Sequence, residues 1–318
     1  RLRSVDGKRV ATGNKDFDAD GKLVAKDVVA LSEQDANALA TACTGVPFRV
    51  SNVNEKPYRR TPLAPFTTSS LQQEAGKRFR WGAQRVMRTA QGLYENGWIT
   101  YMRTDSTTLS ETALKAARTQ AAQLYGADHV SETVRTYDKK VKNAQEAHEA
   151  IRPAGDVFRT PGEVQGQLTG DEFLLYDLIW KRTVASQMAD AKGFTTTVTL
   201  EATSNDNRQV EFTASGTVIT FKGWRAAFEE TLEEAEKDEE QDEERLLPKL
   251  NEGDSIQVLR LEPQGHATTP PARYSEASLV KKLEELGIGR PSTYAATVST
   301  IVDRGYVSKR GTALVPTW

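Results

Sequence analysis

The sequence predicts an α+β chain of several domains, in which a helical region interrupts a β region and a small helical unit follows. Apolar residues alternate with polar ones in residues 46–50 and again in residues 194–202, which is typical of strands. Between residues 67 and 191 they recur at helical spacing instead. The length of 318 residues agrees with two or three domains of about 150 residues or fewer.

The first β flank is marked by turn residues. The dipeptides Asp6-Gly7 and Asp20-Gly21 predict hairpins between short apolar runs. Ser32, three residues before Asp35, predicts the start of a short helix. Residues 56–65 contain three prolines and predict a connector.

Capping signals define the helical region. Ser69 or Ser70 predicts the first helix start, Ser110 predicts the second, and Thr169–Glu172 predicts a long third helix. Gly126 predicts the end of the second helix. The pattern therefore predicts one helical domain inserted into a β domain.

Short strands are predicted again after Gly193, at residues 210–212, 218–221 and 256–261. The acidic run 229–245 lies between them and predicts a solvated loop. The simplest architecture is one β domain built from both flanks of the helical insertion.

The last 45 residues predict a helix, a tight turn, a second helix and a hairpin. Ser275 is the predicted cap of the first helix and Gly287 its end, while Pro291 is predicted at the first position of the second helix, which Gly305 ends. This order is the plan of a winged helix-turn-helix unit, which binds DNA in some proteins and packs against protein in others.

The charge is segregated along the chain. The net charge is −2, but residues 229–245 carry eleven acidic residues against two basic ones, so the remaining 301 residues sum to +7. From Lys56 to Arg88 there are eight Lys or Arg against Glu74 alone. That basic stretch suits a polyanion, although a solvated helix face explains it equally well.

Composition excludes several classes of protein. Cys43 is the only cysteine, so an intrachain disulfide scaffold is excluded and we expect a small buried side chain in a reducing, cytoplasmic setting. No apolar run approaches the ~18 residues of a membrane span, and we expect a soluble protein with no membrane partner. The chain starts without Met and stops at Trp318 in a strand-like run, so we expect an excised piece of a longer protein.

The segment Trp98–Ser106 carries the sharpest chemical pattern. In an extended chain, residues two apart share a face, so Tyr101, Arg103 and Asp105 project together. Neutral phenols, which ionise near pH ~10, are weak nucleophiles, but a fixed cation stabilises a phenolate and can also hold the phosphate that it attacks. The pattern indicates phosphoryl transfer to tyrosine, against the alternative of a packing tyrosine beside a surface ion pair.

The sequence closely resembles the bacterial type IA DNA topoisomerase I family, and actinobacterial and mycobacterial members in particular. The segments that carry the resemblance occur in family order and are Ile99–Ser106, Ala144–Pro153, Ile179–Met188, Pro271–Ser278 and Gly287–Tyr294.

The resemblance implies that Tyr101 attacks single-stranded DNA to form a 5′-phosphotyrosine link, with Arg103 stabilising the phenolate and the scissile phosphate. Asp105 would support these two residues. The other DNA contacts that it implies are made by His148, Arg152, Gln187, Arg273 and Arg290. Trp81 and Trp98 are candidates for base stacking, against the alternative of core positions.

The family fold implies a fragment of a toroid. Residues 1–60 and 189–265 would form a β arch that acts as a hinge, 61–188 the helical tyrosine domain, and 266–318 the start of a helical DNA-binding domain. The implied enzyme is an isomerase that binds single-stranded DNA, relaxes negatively supercoiled DNA and works as a monomer. We expect the isolated chain to bind single-stranded DNA without relaxing DNA.

The resemblance also implies Mg²⁺ in the full-length enzyme, bound by an acidic Toprim domain that precedes this region, and no ATP. No Gly-x-x-x-x-Gly-Lys-Ser/Thr loop occurs in the sequence. Residues Asp16–Asp27 imitate a calcium loop, but a hairpin turn rich in Asp explains them better, and no metal site is predicted here.

Two alternatives remain open on the residues alone. A tyrosine recombinase or type IB topoisomerase would link tyrosine to the 3′ phosphate through a dispersed set of basic residues. A non-catalytic winged-helix module would use Tyr101 only in packing.

Overall fold

The computed structural model describes residues 1–18, 20–137, 149–228, 247–267 and 270–317. Two compact units make up these residues. The first comprises Arg1–Tyr58, Lys192–Thr220 and the described part of Glu236–Pro271. The second comprises the described residues of Arg59–Ala191, Phe221–Ala235 and Ala272–Trp318. Across the described ranges, no helix has the length and apolar character to cross a membrane.

A seven-stranded sheet is the frame of the first unit. Its strands are β1 (Leu2–Val5), β2 (Lys8–Val10), β3 (Val28–Val29), β4 (Pro47–Arg60), β5 (Ala191–Thr203), β6 (Gln209–Phe221) and β7 (Ser255–Gln257). They lie in the order β3-β2-β1-β6-β5-β4-β7. Helix α1 (Gly13–Asp16) and helix α2 (Glu33–Ala42) join the first strands. The two sequence flanks therefore meet in one sheet, because β1 pairs with β6.

Several predictions for this unit are confirmed. Strands β1 and β2 form the antiparallel hairpin predicted at Asp6-Gly7. Ser32 caps α2, and its hydroxyl accepts a hydrogen bond from the amide of Asp35. Cys43 is fully buried in the apolar core beside Phe48, and burial raises the pKa of its thiol.

The connector predicted at residues 56–65 is wrong in its first half, because β4 continues through Pro57 to Arg60. Strand β7 pairs with β4 only at Pro47–Arg49, so the later part of β4 has no β7 partner on that side. An edge position tolerates proline, which has no amide hydrogen to donate.

Strand β6 is longer than predicted. The separate strands expected at 210–212 and 218–221 form one strand, although residues 213–217 include no large apolar side chain. Hydroxyl pairs between β5 and β6, Thr195 with Thr217 and Thr197 with Ser215, span this part of the ladder. Strand β7 is shorter than the predicted 256–261. The acidic run 229–245 lies outside the described residues.

Helices build the second unit. They are α3 (Thr68–Phe79), α4 (Ala83–Glu95), α5 (Glu111–Tyr125), α6 (Pro161–Val164) and α7 (Gly170–Ala185). The caps predicted at Ser110 and at Thr169 are confirmed. The cap predicted at Ser69 or Ser70 is wrong, because Thr67 caps α3 and Ser70 completes its capping box. A large apolar core joins these helices, and Val86, Ala90 and Leu93 bury one face of α4 in it.

The C-terminal residues form α8 (Glu276–Glu285), α9 (Tyr294–Asp303) and a hairpin of β8 (Val307–Arg310) and β9 (Ala313–Pro316), in the predicted order. The prediction that Pro291 opens the second helix is wrong, because α9 begins three residues later. The hydroxyl of Thr293 accepts a hydrogen bond from the amide of Arg290, which closes a turn there. Helix α8 packs on α3, and α9 packs on α4.

The seam between α3 and α8 is tight. A Cβ atom added at Gly76 of α3 would lie 2.9 Å from the Cβ atom of Ala277 in α8. The carboxylate of Glu276 accepts a hydrogen bond from the amide of Ala83 at the start of α4, at 2.8 Å. The cap residue of α4 is Gly82, which has no side chain to make that bond.

Candidate active site

Tyr101 lies on the segment between α4 and α5, whose residues alternate between exposed and buried. Met102 and Thr104 are buried, whereas Tyr101 and Arg103 are exposed and Asp105 is half-buried. The predicted alternation is therefore confirmed, and about 40% of the Tyr101 surface is accessible. Both the phenol and the guanidinium are therefore accessible to a ligand.

Backbone pairing holds this segment on its neighbours. The amide of Thr100 donates to the carbonyl of Arg152 at 2.9 Å, and the amide of Ala154 donates to the carbonyl of Trp98 at 2.9 Å. Ile99 and Pro153 form an isolated antiparallel bridge. The backbone before Tyr101 is thus held by hydrogen bonds to residues 152–154.

Thr68 fixes the residues that follow Tyr101. Its hydroxyl, at the first residue of α3, lies 2.7 Å from the carbonyl oxygen of Met102 and accepts a hydrogen bond from the amide of Thr104 at 2.9 Å. The amide of Thr68 also donates to the carbonyl of Thr104 at 2.9 Å. Since Thr68 is fully buried, these bonds are shielded from water. Thr68 was not among the predicted site residues, and its only signal in the sequence is a polar side chain at the start of a helix.

A second tyrosine contacts the Tyr101 ring. The ring of Tyr94, in the last turn of α4, lies edge-on to it with 5.2 Å between the ring centroids. Edge-to-face pairs of this kind stabilise by about 0.5–1.5 kcal/mol beyond the burial of their area. Tyr94 therefore restrains the orientation of the Tyr101 ring.

Asp105 and Arg290 act on one buried phenol, that of Tyr294 at the start of α9. Burial raises the pKa of Tyr294, the negative charges of Glu284 and Asp105 raise it further, and the positive charge of Arg290 lowers it. The structure thus brings two of the predicted site residues within electrostatic range of the same hydroxyl. Arg290 itself is exposed, and its guanidinium donates to the carbonyl of Gly289 at 2.8 Å.

Arg152 supports the tyrosine segment from inside. Its guanidinium is buried, donates to the carboxylate of Glu149 at 2.7 Å and to the carbonyls of Pro153 and Gly155, and stacks on the ring of Phe158. These contacts occupy Arg152 with protein groups, so its predicted DNA contact stays a prediction.

Glu149 links this arginine to the start of α5. Its second carboxylate oxygen accepts a hydrogen bond from the amide of Ser110 at 2.6 Å. Burial alone would raise the pKa of Glu149, but the hydrogen bonds from Arg152 and Ser110 outweigh it, and the pKa lies below its usual value. Glu149 was not among the predicted site residues.

The remaining predicted contacts are scattered. Gln187 is fully buried, where its side chain accepts from the amide of Arg135 and donates to the carbonyl of the same residue. Arg273 is exposed ahead of α8. His148 lies outside the described residues. The roles of these three residues in DNA binding stay predictions.

The two candidates for base stacking, Trp81 and Trp98, lie in the second unit. Trp81 is buried in the core and Arg85 stacks on it at 4.6 Å, while Trp98 packs against the core with Arg159 at 4.1 Å from its ring. Arginine therefore covers a face of each ring, and base stacking by them stays a prediction.

The described carboxylates do not form a metal centre. Within the ranges that the structure covers, no group of three or more His, Cys, Asp or Glu is placed to hold an ion. In the loop that imitates a calcium site, Asp16 is held by the guanidinium of Arg9 and the amide of Thr12, and Asp18 accepts from the amides of Asp20 and Lys22. These donors stabilise a turn and do not suit Mg²⁺.

The comparison with known families decides what this site belongs to. A family model described as DNA topoisomerase matches residues 9–318. This chain belongs to the bacterial type IA DNA topoisomerase I family. The predicted resemblance is confirmed, and the observed fold is the mixed α+β fold of the type IA core.

The chain is similar to DNA topoisomerase 1 of Mycolicibacterium smegmatis, with 56% identity over 319 residues, and to that of Streptomyces coelicolor, with 58% identity over 320 residues. Both matches cover 100% of this chain and 34% and 33% of the relatives. The chain thus spans about a third of the length of these topoisomerases.

A solved structure is also similar, that of full-length topoisomerase I from Thermotoga maritima. It matches 92% of this chain and 46% of that chain, with 32% identity and a TM-score of 0.73. Type IA topoisomerases act on DNA and use Mg²⁺ without ATP. Membership of this family separates the chain from the tyrosine recombinases and type IB enzymes.

Proposed function

We propose that residues 1–318 are the part of a type IA topoisomerase that carries the nucleophile, and that Tyr101 is this nucleophile. The observation that carries the proposal is the exposed Tyr101 on a segment that hydrogen bonds hold on both sides, with Arg103 also exposed and the intervening Met102 buried. A rigid segment presents the phenolic oxygen to a DNA phosphate without a further cost of ordering.

The proposed step is a transesterification in single-stranded DNA. The Oη atom of Tyr101 bonds to phosphorus as the bond from phosphorus to the 3′ oxygen breaks. The phenol loses its proton to solvent, and the departing 3′ oxygen takes one up. Arg103 stabilises the negative charge that develops on the phosphate oxygens. The number of phosphodiester-type bonds does not change, so reversal rejoins the strand without ATP.

The proposal includes the wider cycle of the family. The sheet that contains β4, β5 and β6 would act as the hinge of a toroid, lifting the tyrosine-bearing helices while another strand passes. The Mg²⁺ ligands would come from sequence outside residues 1–318. The isolated chain would then bind single-stranded DNA as a monomer and would not relax supercoiled DNA.

Covalent trapping tests the nucleophile. Residues 1–318 would replace the matching third of a full-length relative, and the chimera would be mixed with oligonucleotides labelled at either end and stopped with detergent. We expect the 3′-end label to remain on the protein and the 5′-end label to leave with a free 3′-hydroxyl. Tyr101→Phe should abolish the adduct and leave DNA binding intact. An adduct that survives in Tyr101→Phe, or one that keeps the 5′-end label, would overturn the assignment.

The alternative of a non-catalytic winged-helix module has one supporting observation, the helix-turn-helix and hairpin formed by α8, α9, β8 and β9. The same chimera separates the two functions. Binding without any covalent adduct, in the presence of Mg²⁺, would favour the module.

A further inference from the structure

A cleft of about 480 Å³ lies in the second unit, away from the Tyr101 segment. It is bounded by the turn between α3 and α4, the start of α8 and the tip of the β8–β9 hairpin. Four basic side chains line it, which are Lys77, Arg80, Lys281 and Lys309. We name this feature the basic cleft.

The charge of the basic cleft is strongly positive. Glu276 is its one acidic lining residue among those described. The Glu276 carboxylate is already engaged, since it forms an ion pair with Lys309 and accepts a hydrogen bond from the amide of Ala83. The free amide at the start of α4 is therefore already bonded to a protein carboxylate. Four basic side chains against this one carboxylate leave an excess of three positive charges in the cleft.

The backbone at Arg80 supports a functional interpretation. Arg80 has φ of 57° and ψ of 30°, a left-handed conformation that usually favours glycine. Such a conformation is unfavourable for a residue that has a Cβ atom. The strained turn keeps an exposed guanidinium at the cleft, where glycine would relieve the strain and lose the charge.

Three arginines of the basic stretch predicted from residues 56–88 form ion pairs within the protein. Arg59 pairs with Asp190, Arg78 with Glu74, and Arg85 forms two bonds of 2.9 Å with Asp171. Two further cations of the stretch, Lys77 and Arg80, line the basic cleft together with Lys281 and Lys309 from the C-terminal segment.

The basic cleft is distinct from the Tyr101 site. Helix α4 starts beside the cleft at Ala83, and the Tyr94 ring near its other end contacts Tyr101. Eleven residues of helix separate these positions, which corresponds to about 17 Å at ~1.5 Å per residue. At ~3.4 Å per nucleotide of a stacked strand, one DNA strand would need about five nucleotides to reach from one site to the other.

We propose that the basic cleft is a second docking site for the sugar-phosphate backbone of DNA, which holds the strand about five nucleotides or more from the Tyr101 site. This inference rests on the proposed DNA-binding function. Lys77 comes from α3 and Arg80 from the turn after it, whereas Lys281 and Lys309 come from the C-terminal segment. A backbone bound in the cleft therefore bridges the two and holds them together while the strand is engaged.

The test measures binding rather than chemistry, in a Tyr101→Phe background. Lys77→Gln, Arg80→Gln and Lys281→Gln are combined, and Lys309 is left unchanged because it pairs with Glu276. Fluorescence anisotropy follows labelled single strands of 4, 12 and 24 nucleotides from 50 to 200 mM salt. Loss of three phosphate contacts should reduce the slope of log K against log salt by about 2, at ~0.7 per contact. The affinity for the 24-mer should fall at least tenfold.

The matched control carries the same charge change on exposed residues outside the cleft, Lys8→Gln, Lys22→Gln and Lys115→Gln. The slope of log K against log salt should change in this control by less than half of the change in the cleft variant. The control should also keep most of its affinity for the 24-mer. Equal urea midpoints by tryptophan fluorescence would show that the variants fold alike. The 4-mer, which is too short to span both sites, should lose little affinity in the cleft variant.

Three results would overturn the proposal. One is an unchanged salt slope in the cleft variant, and another is an equal loss for the 4-mer and the 24-mer. The third concerns inorganic phosphate added at constant ionic strength. It would be found if phosphate stabilised the parent against urea but not the cleft variant, while the two proteins bound DNA with equal affinity. That result would assign the cleft to free phosphate. A failed adduct assay with wild-type Tyr101 would count against the nucleophile alone and leave these binding results standing.

Discussion

Replacing Thr68 by valine removes one hydroxyl and almost no volume, and it tests how the tyrosine segment is held. The hydroxyl bonds the carbonyl of Met102 and the amide of Thr104, and all three residues are buried. A net contribution of about 1 kcal/mol is lost with the first bond, and an amide that is left buried without a partner costs about 1–3 kcal/mol. We therefore expect Thr68→Val to lower the free energy of unfolding by about 2–4 kcal/mol.

The tryptophans make this loss measurable in the relevant unit. Every tryptophan of the chain falls within the residue ranges of the second unit, which also contains Thr68. Urea unfolding followed by tryptophan fluorescence thus reports that unit. With a slope of about 2 kcal/mol per molar urea, the midpoint should fall by about 1–2 M.

An exposed threonine supplies the control. Thr119→Val on α5 removes a hydroxyl at the surface and should change the free energy of unfolding by less than about 0.5 kcal/mol. If Thr68→Val also stays within 1 kcal/mol of the parent, the hydroxyl does not hold the segment and our account of its rigidity is incorrect.

Three further outcomes are expected. Gly193→Ala places a Cβ atom against a β6 carbonyl and should destabilise the sheet by about 3 kcal/mol in urea unfolding followed by circular dichroism, and an unchanged midpoint would contradict the close approach. The pKa of Glu149 is lowered on folding, so its stabilising effect is present above the unfolded pKa and is lost as the pH falls through the folded pKa. The difference in urea midpoint between the parent and Glu149→Gln should therefore shrink as the pH falls below about 4. A constant difference would refute the link to Arg152. Tyr94→Ala should slow covalent trapping by Tyr101 in the chimera about 2- to 10-fold, while Tyr94→Phe should keep the rate; equal rates in both would remove the restraint by Tyr94.

Local patterns were sufficient to predict the exposed face of the site. The two-residue period of an extended chain placed Tyr101 and Arg103 together, and the structure has the same alternation. Capping at Ser110 and Thr169 was also predictable, because the cap and its partner lie three residues apart.

What could not be predicted depends on pairs that are distant in the sequence. Thr68 reaches residues 34 and 36 positions away, and Glu149 reaches Ser110 at 39 positions, so no local period reports them. Pro57 in β4 depends on which neighbours a strand has. The run Thr67–Ser70 offers several caps of equal chemistry, and tertiary packing selects the first of them.

The missing cap of α4 has a consequence for synthesis on the ribosome. The amide of Ala83 obtains its acceptor from Glu276, 193 residues further along. At about 5–20 residues per second, roughly 10–40 s separate the translation of the two residues. During that interval the nascent helix has an open first turn, and its completion waits for the last part of the chain to arrive. Hydrogen exchange at this single amide would therefore time the docking of the C-terminal segment.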